Sequence, residues 1–304
     1  MKKVSKWQRV IESRYFCLTS RNLLGSLASL AYRASLLGPR YFDVREPVTG
    51  ETLRLWVRRD CMIERQFIAC GLYGGWERVS LLLWACLAQR ASTIVDIGAN
   101  TGVYSVLARA VNPTATVLAI EPVEVNFEVL RRNIEANGNS IIADCCAVSD
   151  REGRAKMHVL KDRLSYISSL KENRYDRHPE LTGGREVVEV EVETRTLDSL
   201  VRHRGLNGID LMKIDVEGHE ATVLESVRPM LAEDLPSVLV EVIGDDNAIR
   251  VGQLLGPLGY RFVSIDERSP PRVVDRIWDN DHHNFLACSV ETLEYLGEQG
   301  LLAN

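Results

Sequence analysis

The sequence predicts an α/β fold built on a doubly wound, mostly parallel sheet. Three observations carry that prediction. From residue 93 onward, short apolar runs alternate with stretches of helical period, the signature of parallel βαβ units. The first run ends in a glycine-bearing turn that opens a helix, and the second ends on a carboxylate, Glu121. The 304 residues, 45% hydrophobic and 26% charged, suffice for one large domain, or a domain with an appendage, around a sizeable core.

The elements follow in order. Residues 7–37 are loosely helical in their apolar spacing. Residues 41–46 and 52–57 read as strands joined by a turn at Pro47-Val48-Thr49-Gly50, and 77–89 as a helix after the glycine break at 71–75. Residues 1–90 are therefore expected to form a helical and hairpin cap over the C-terminal ends of the sheet strands, with 91–304 as the main domain. There, strands are expected at 93–97, 116–120 and 140–148, with helices at 103–111 and 125–137. Residues 156–160 and 186–194 read as extra strands around a polar insertion, 161–185. That length suits a lid. Its Arg163, Arg174, Arg177 and Arg185 suit an anionic or sugar substrate, or are solvated loop charges. The alternation resumes with strand 210–214, helix 220–227, strand 237–242, helix 247–258 and strands 260–264 and 284–289.

Composition excludes several classes. Residues 1–59 hold 12 Lys and Arg against 4 Asp and Glu, a charge of +8, so the remainder carries −13 of the net −5. An acidic body lacks the basic footprint of a nucleic-acid binder. The basic N-terminus is a solvated arm or makes a weak membrane-surface contact. The apolar stretch 23–38 is interrupted by Ser26, Ser29, Arg33 and Ser35, short of the ~20 residues that span a bilayer. No signal-peptide pattern follows the basic start. Seven cysteines, odd in number and without a CxxC pair, fit buried thiols in a reducing, cytoplasmic setting rather than disulfides or zinc.

Two constellations carry chemistry. In Asp96-Ile97-Gly98-Ala99-Asn100-Thr101-Gly102 a strand runs into a turn whose glycines allow close backbone approach at a helix N-terminus. Asn100 stands where a pyrophosphate-binding loop needs a second glycine, so NAD fits poorly and a cofactor with a charged amino-acid end fits better. Glu121 closes the next strand, where a carboxylate can accept both ribose hydroxyls. A tight turn and a surface carboxylate would explain each feature alone; their order in one βαβ unit favours a nucleoside cofactor. The second constellation is Lys213-Ile214-Asp215-Val216-Glu217-Gly218-His219. Asp215 ends a strand at the ligand-binding edge, Lys213 needs a carboxylate partner, Glu217 can cap the next helix, and His219 is solvated or a base. Glu241 ends the neighbouring strand beside Asp215, and two adjacent carboxylates suggest a shared proton, a metal or a polar substrate.

With Glu121-Pro122, Asn133, Asn137-Gly138, Thr196-Leu197-Asp198, Trp76-Glu77 and Asn284-Phe285-Leu286, these motifs resemble the FkbM family of S-adenosylmethionine-dependent methyltransferases over roughly residues 75–290. The resemblance implies a Rossmann-like class I methyltransferase sheet of seven strands, one antiparallel, with helices on both faces. It also implies O-methylation of a hydroxyl on a sugar, glycan or other biosynthetic product. It places Asp96, Gly98, Ala99, Asn100 and Gly102 around the methionyl end of S-adenosylmethionine, Glu121 and Pro122 at the ribose, and Cys146 and Ala147 by the adenine. An aliphatic hydroxyl must still lose its proton, to Asp215, Glu217, Glu241, His219 or His283 as general base, or with a divalent metal on Asp215 and Glu241; the base is the preferred reading. An oxidoreductase would leave Asn100 and the 215–217 motif unexplained. A non-catalytic binding module is the remaining alternative.

Overall fold

The structure is a computed structural model that describes residues 5–10, 40–57, 61–138, 140–161, 186–280 and 282–303. The expected lid, its four arginines and most of the helical N-terminal stretch lie outside these residues.

A hairpin opens the described chain: β1 (Arg40–Arg45) pairs antiparallel with β2 (Thr52–Val57). Its turn is held by the buried Glu46, whose carboxylate accepts the N–H groups of Val48 and Thr49. Helices α1 (Met62–Cys70) and α2 (Arg78–Ala88) follow. Every residue of α2 is buried, so this helix has no solvent face. The main domain then runs β3 (Thr93–Ile97), α3 (Val103–Val111), β4 (Thr116–Ile120), α4 (Glu124–Ala136), β5 (Ile142–Asp144), β6 (Ala147–Val148), β7 (Gly153–Leu160) and β8 (Val187–Arg195). It continues through α5 (Leu197–His203), β9 (Leu211–Ile214), α6 (Glu220–Ser226), α7 (Arg228–Asp234), β10 (Ser237–Glu241) and α8 (Asp245–Leu255). The last elements are β11 (Arg261–Ser264), β12 (Arg272–Val274), β13 (Asn284–Cys288) and α9 (Val290–Glu298).

The central sheet has the order β12-β11-β13-β10-β9-β3-β4-β5. Strands β5, β4, β3, β9 and β10 are parallel; β13 runs against both β10 and β11, and β12 against β11. Alternation along each strand feeds two cores. Ile94, Val117, Ala119, Leu211 and Leu239 face the hairpin, α2, α3 and α4, whereas Val95, Leu118, Met212, Val238 and Val240 face α5 to α8. Helices therefore cover both faces, as parallel strands require. The first core also takes in Trp7, Leu53, Leu55 and Phe67, so residues on both sides of the expected boundary at 90 share one apolar cluster.

The sheet has eight strands rather than seven, and two run antiparallel rather than one. The extra edge strand β12 is a three-residue segment with no apolar run to reveal it. The expected strand 140–148 is two strands. The chain leaves the central sheet at Asp144, and Ala147–Val148 pairs with β8 in a separate three-stranded sheet, β6-β8-β7. Its apolar side chains serve a third cluster with Val123, Met157, Val159 and Val192. The run, interrupted by Asp144, is shared among the three clusters, with Ile141 in the first, Cys146 and Val148 in the second and Ala147 in the third.

The chain moves outward from β3 through β4 to β5, then returns to place β9 on the other side of β3. That reversal is the switch point beside which open α/β sheets bind ligands, at the strand C-termini.

Candidate active site

The turn after β3 is fixed by its glycines. Gly98 has φ +77, and an added Cβ would collide with the carbonyl oxygen of Asp215; Gly102, at φ +86, lies against Leu130 of α4. The N–H groups of Gly98 and Ala99 both donate to Ile120 O at 2.9 Å, tying the turn to β4. Asn133 then links this turn to the hairpin: its Nδ2 donates to Thr101 O at 2.8 Å and its Oδ1 accepts from Trp56 N at 2.6 Å. Asn137 accepts from Arg54 N and donates to Arg54 O, extending the edge of β2 by side-chain bonds.

Glu121 is buried at the end of β4. One carboxylate oxygen accepts from Asn100 N and the other from Val123 N, each at 2.8 Å, with Asn126 Nδ2 at 3.4 Å. Burial pushes its pKa up to about 7, against the lowering effect of those hydrogen bonds. Beside it opens a cleft lined by Gly98, Asn100, Glu121, Pro122, Cys146 and Ala147, together with Asp215 and Glu217. Apolar walls come from Ile97, Ile120, Val148 and Met157. A mostly apolar cleft with a few convergent polar groups is the usual form of a small-molecule site. Met157 and Asn126, also in its wall, have no motif to announce them. Met157 arrives from β7 only because the small sheet folds against the large one.

Three expected cofactor residues shape the turn without lining the cleft. Asp96 is fully buried below it, accepting a hydrogen bond from Ser105 Oγ at 2.6 Å, and burial raises its pKa. Ala99 packs into the core, and Gly102 opens α3 against Leu130.

The second constellation meets the first at Asp215, whose N–H donates to Ile97 O at 3.0 Å. Lys213 lies in β9 between Asp96 and Leu239, 5% exposed. Its ammonium is 2.7 Å from Asp215 Oδ2 and 4.7 Å from the centre of the Tyr104 ring. Burial alone would lower the lysine pKa, yet the charges of Asp215, Glu77 and Asp96 hold it above the ordinary value. Asp215, Glu217 and Glu241 present carboxylate oxygens within 4.8 Å of one another. Burial, then the neighbouring Asp215 and Glu217 charges, push Glu241 well above the ordinary carboxylate range.

Glu217 does not cap the next helix. The start of that helix has no side-chain cap; Glu220, its first residue, reaches back to accept from Gly218 N at 2.8 Å and Val216 N at 3.2 Å and is bonded by Asn247. Glu217 adopts φ 58, and its side chain joins the carboxylate group at the cleft. His219 Nε2 lies 3.3 Å from Ser149 Oγ, next to β6, and His283 Nδ1 lies 3.2 Å from Asp279 Oδ1. Neither histidine lines the cleft. Glu77, of the Trp76-Glu77 pair in the family resemblance, and Tyr104, which no motif singles out, are joined by a 2.7 Å hydrogen bond behind Lys213 and belong to the centre.

Comparison with known proteins shows the family. Residues 96–262 match the sequence profile of the Methyltransferase FkbM domain. The chain is 30% identical over 204 residues to the 31-O-demethyl-FK506 methyltransferase FkbM of Streptomyces tacrolimicus, covering 58% of this chain and 75% of that one. It is 32% identical over 171 residues to the methyltransferase sdnD of Sordaria araneosa, covering 49% of this chain and 65% of that relative. Among solved structures, the methyltransferase FkbM of Methylobacillus flagellatus KT superposes with a TM-score of 0.40 at 16% identity, over 65% of this chain and 43% of that one.

Proposed function

The chain belongs to the FkbM methyltransferase family, and from that premise we propose that it transfers a methyl group from S-adenosylmethionine to a hydroxyl of a sugar, glycan or other biosynthetic product, in the cytoplasm. The carrying observation is the meeting, in one cleft, of the Gly98–Glu121 turn with Asp215 and Glu217. The name of the Streptomyces relative, an enzyme for an O-demethylated compound, supports oxygen as the methylated atom.

When bound, the cofactor supplies an activated methyl group on a sulfonium sulfur. The residues of the chain do the rest. Glu121 has acceptor capacity left after its backbone bonds, and holds the ribose hydroxyls. Asn126, Ala147, Cys146 and Met157 enclose the adenine side of the cleft. Asp215 stands at the junction of the two constellations and takes the hydroxyl proton, while Glu241 keeps its own proton and orients the acceptor. Alignment of nucleophile and methyl group supplies most of the acceleration, and the base about 10²–10⁴-fold. Glu217 and His219 are left with positioning and loop-holding roles. The partner is a small-molecule or glycan acceptor and not a nucleic acid, consistent with the acidic body. Among the described residues no helix is long and apolar enough to cross a membrane. A weak membrane-surface contact through the basic N-terminus is part of the same reading.

Calorimetric titration with S-adenosylmethionine tests the reading, with NAD as the control ligand. Micromolar binding that Glu121→Ala abolishes is expected. Binding of NAD in its place would overturn the assignment, and binding of neither ligand would favour a non-catalytic module.

A further inference from the structure

Glu77 occupies an unusual position. It precedes α2 as its N-cap residue and adopts φ 42, a left-handed conformation that costs a residue with a side chain free energy. Yet its side chain does not cap the helix. The cap comes from Glu267, 188 residues from Val79, whose carboxylate accepts from Val79 N at 2.6 Å and from Ser80 Oγ at 2.5 Å. Arg78 in turn donates to Glu267 O. Glu77 is thereby free to reach the Tyr104 hydroxyl at 2.7 Å, and Trp76 meets the edge of the same ring at 6.1 Å between centres. The ring fixed in this way is the surface on which the Lys213 ammonium rests, 2.7 Å from Asp215. Buried cations persist only where anions and ring faces replace water, and this one has both.

We infer that Lys213, seated on Tyr104 and braced by Glu77, is the built-in cation of the carboxylate centre, a positioning residue that aligns Asp215 toward the cleft and provides the charge a divalent ion would otherwise supply to the three carboxylates. The inference rests on the reading of Asp215 as the base. It differs from that reading in naming what orients the base, and in assigning Glu77 and Tyr104 a role behind it. The ammonium neutralises one of three clustered carboxylates, so a metal ion would have to displace it.

Two measurements on the full chain test this. In protein carrying ¹⁵N in its lysine side chains, one ammonium resonance should survive at neutral pH, where exposed lysine ammonium protons exchange away. It should vanish in Lys213→Arg, which assigns it, and move in both Asp215→Asn and Tyr104→Phe. The absence of a protected ammonium, or one that neither substitution moves, would overturn the inference. In the second, Mn²⁺ is titrated and followed by paramagnetic resonance. The wild type should not take up Mn²⁺ at this centre, whereas Lys213→Met should gain a site that Glu241→Gln removes. Wild-type binding lost on Asp215→Asn would overturn it, as would a folded Lys213→Met that gains nothing. If Lys213→Met does not fold, the wild-type titration and the ammonium spectra still decide. Neither readout involves S-adenosylmethionine, so failure of the methyltransferase reading leaves them interpretable.

Discussion

The two halves of the site are built in opposite ways. The cleft half comes from one βαβ unit: the turn at Gly98, the end of β4 at Glu121 and the first turn of α4 at Asn126 lie close along the chain and are joined by short-range hydrogen bonds. The carboxylate half is assembled from Glu77, Tyr104, Lys213, Asp215, Glu217, Glu241 and Glu267, spread over most of the described chain. The first half depends on backbone conformation and tolerates few residue types at its glycines. The second depends on the packing of α2, α3 and the sheet, so substitutions far from Asp215 should reach it. Binding and proton transfer are thus separable.

The largest expected effect lies where the halves touch. Gly98→Ala puts a methyl group against Asp215 O at φ +77, and neither backbone segment can yield without breaking the bonds from Gly98 to Ile120 or from Asp215 to Ile97. A loss of more than about 3 kcal/mol is expected in denaturant unfolding, with cofactor binding and transfer lost together. A mild loss would mean the halves are not coupled through this turn.

A smaller change should separate them. Glu267→Gln weakens the cap of α2 and costs about 1 kcal/mol of stability. Because α2 carries Glu77 at its start, methyl transfer should fall while S-adenosylmethionine affinity stays near the wild-type value. Equal loss of both would contradict the division.

The smallest effect is a dependence of stability on pH. Burial raises Glu121 to about 7 and Glu77 to about 8, above the ordinary carboxylate value. The folded chain therefore holds protons that the unfolded chain has released. Their contribution is complete below the ordinary carboxylate pKa and is lost as pH rises through about 7 and then about 8. The melting temperature of the ligand-free protein should fall over that interval. Glu121→Gln should make the slope shallower up to about 7, and Glu77→Gln up to about 8; an unchanged slope in both would place these carboxyls in water.

The same contrast explains what could be read from the residues alone. The strand-turn-helix at Asp96 to Gly102 and the carboxylate at Glu121 are local, and their chemistry follows from spacing. Even the meeting of Asp215 with Glu241 was legible, because both end strands that pair in parallel. That Glu217 joins Asp215 and Glu241 instead of capping the next helix follows from its left-handed turn, which spacing does not encode. Glu77, Tyr104 and Glu267 carry no motif that links them. Their association depends on the angle at which α2 crosses α3 and on a loop after β11, quantities that periodicity does not encode. Met157 was hidden for a related reason: the largely apolar run at 140–148 concealed the passage to a second sheet.

The most direct test of the division between binding and proton transfer is a comparison of Asp215→Asn with the wild type. S-adenosylmethionine affinity and transfer of its labelled methyl group to a panel of hydroxyl-bearing sugars and polyketides are measured on the same preparations. The account predicts near wild-type affinity and transfer reduced by about 10²–10⁴-fold, the usual worth of a general base. Transfer at the wild-type rate in Asp215→Asn would contradict it.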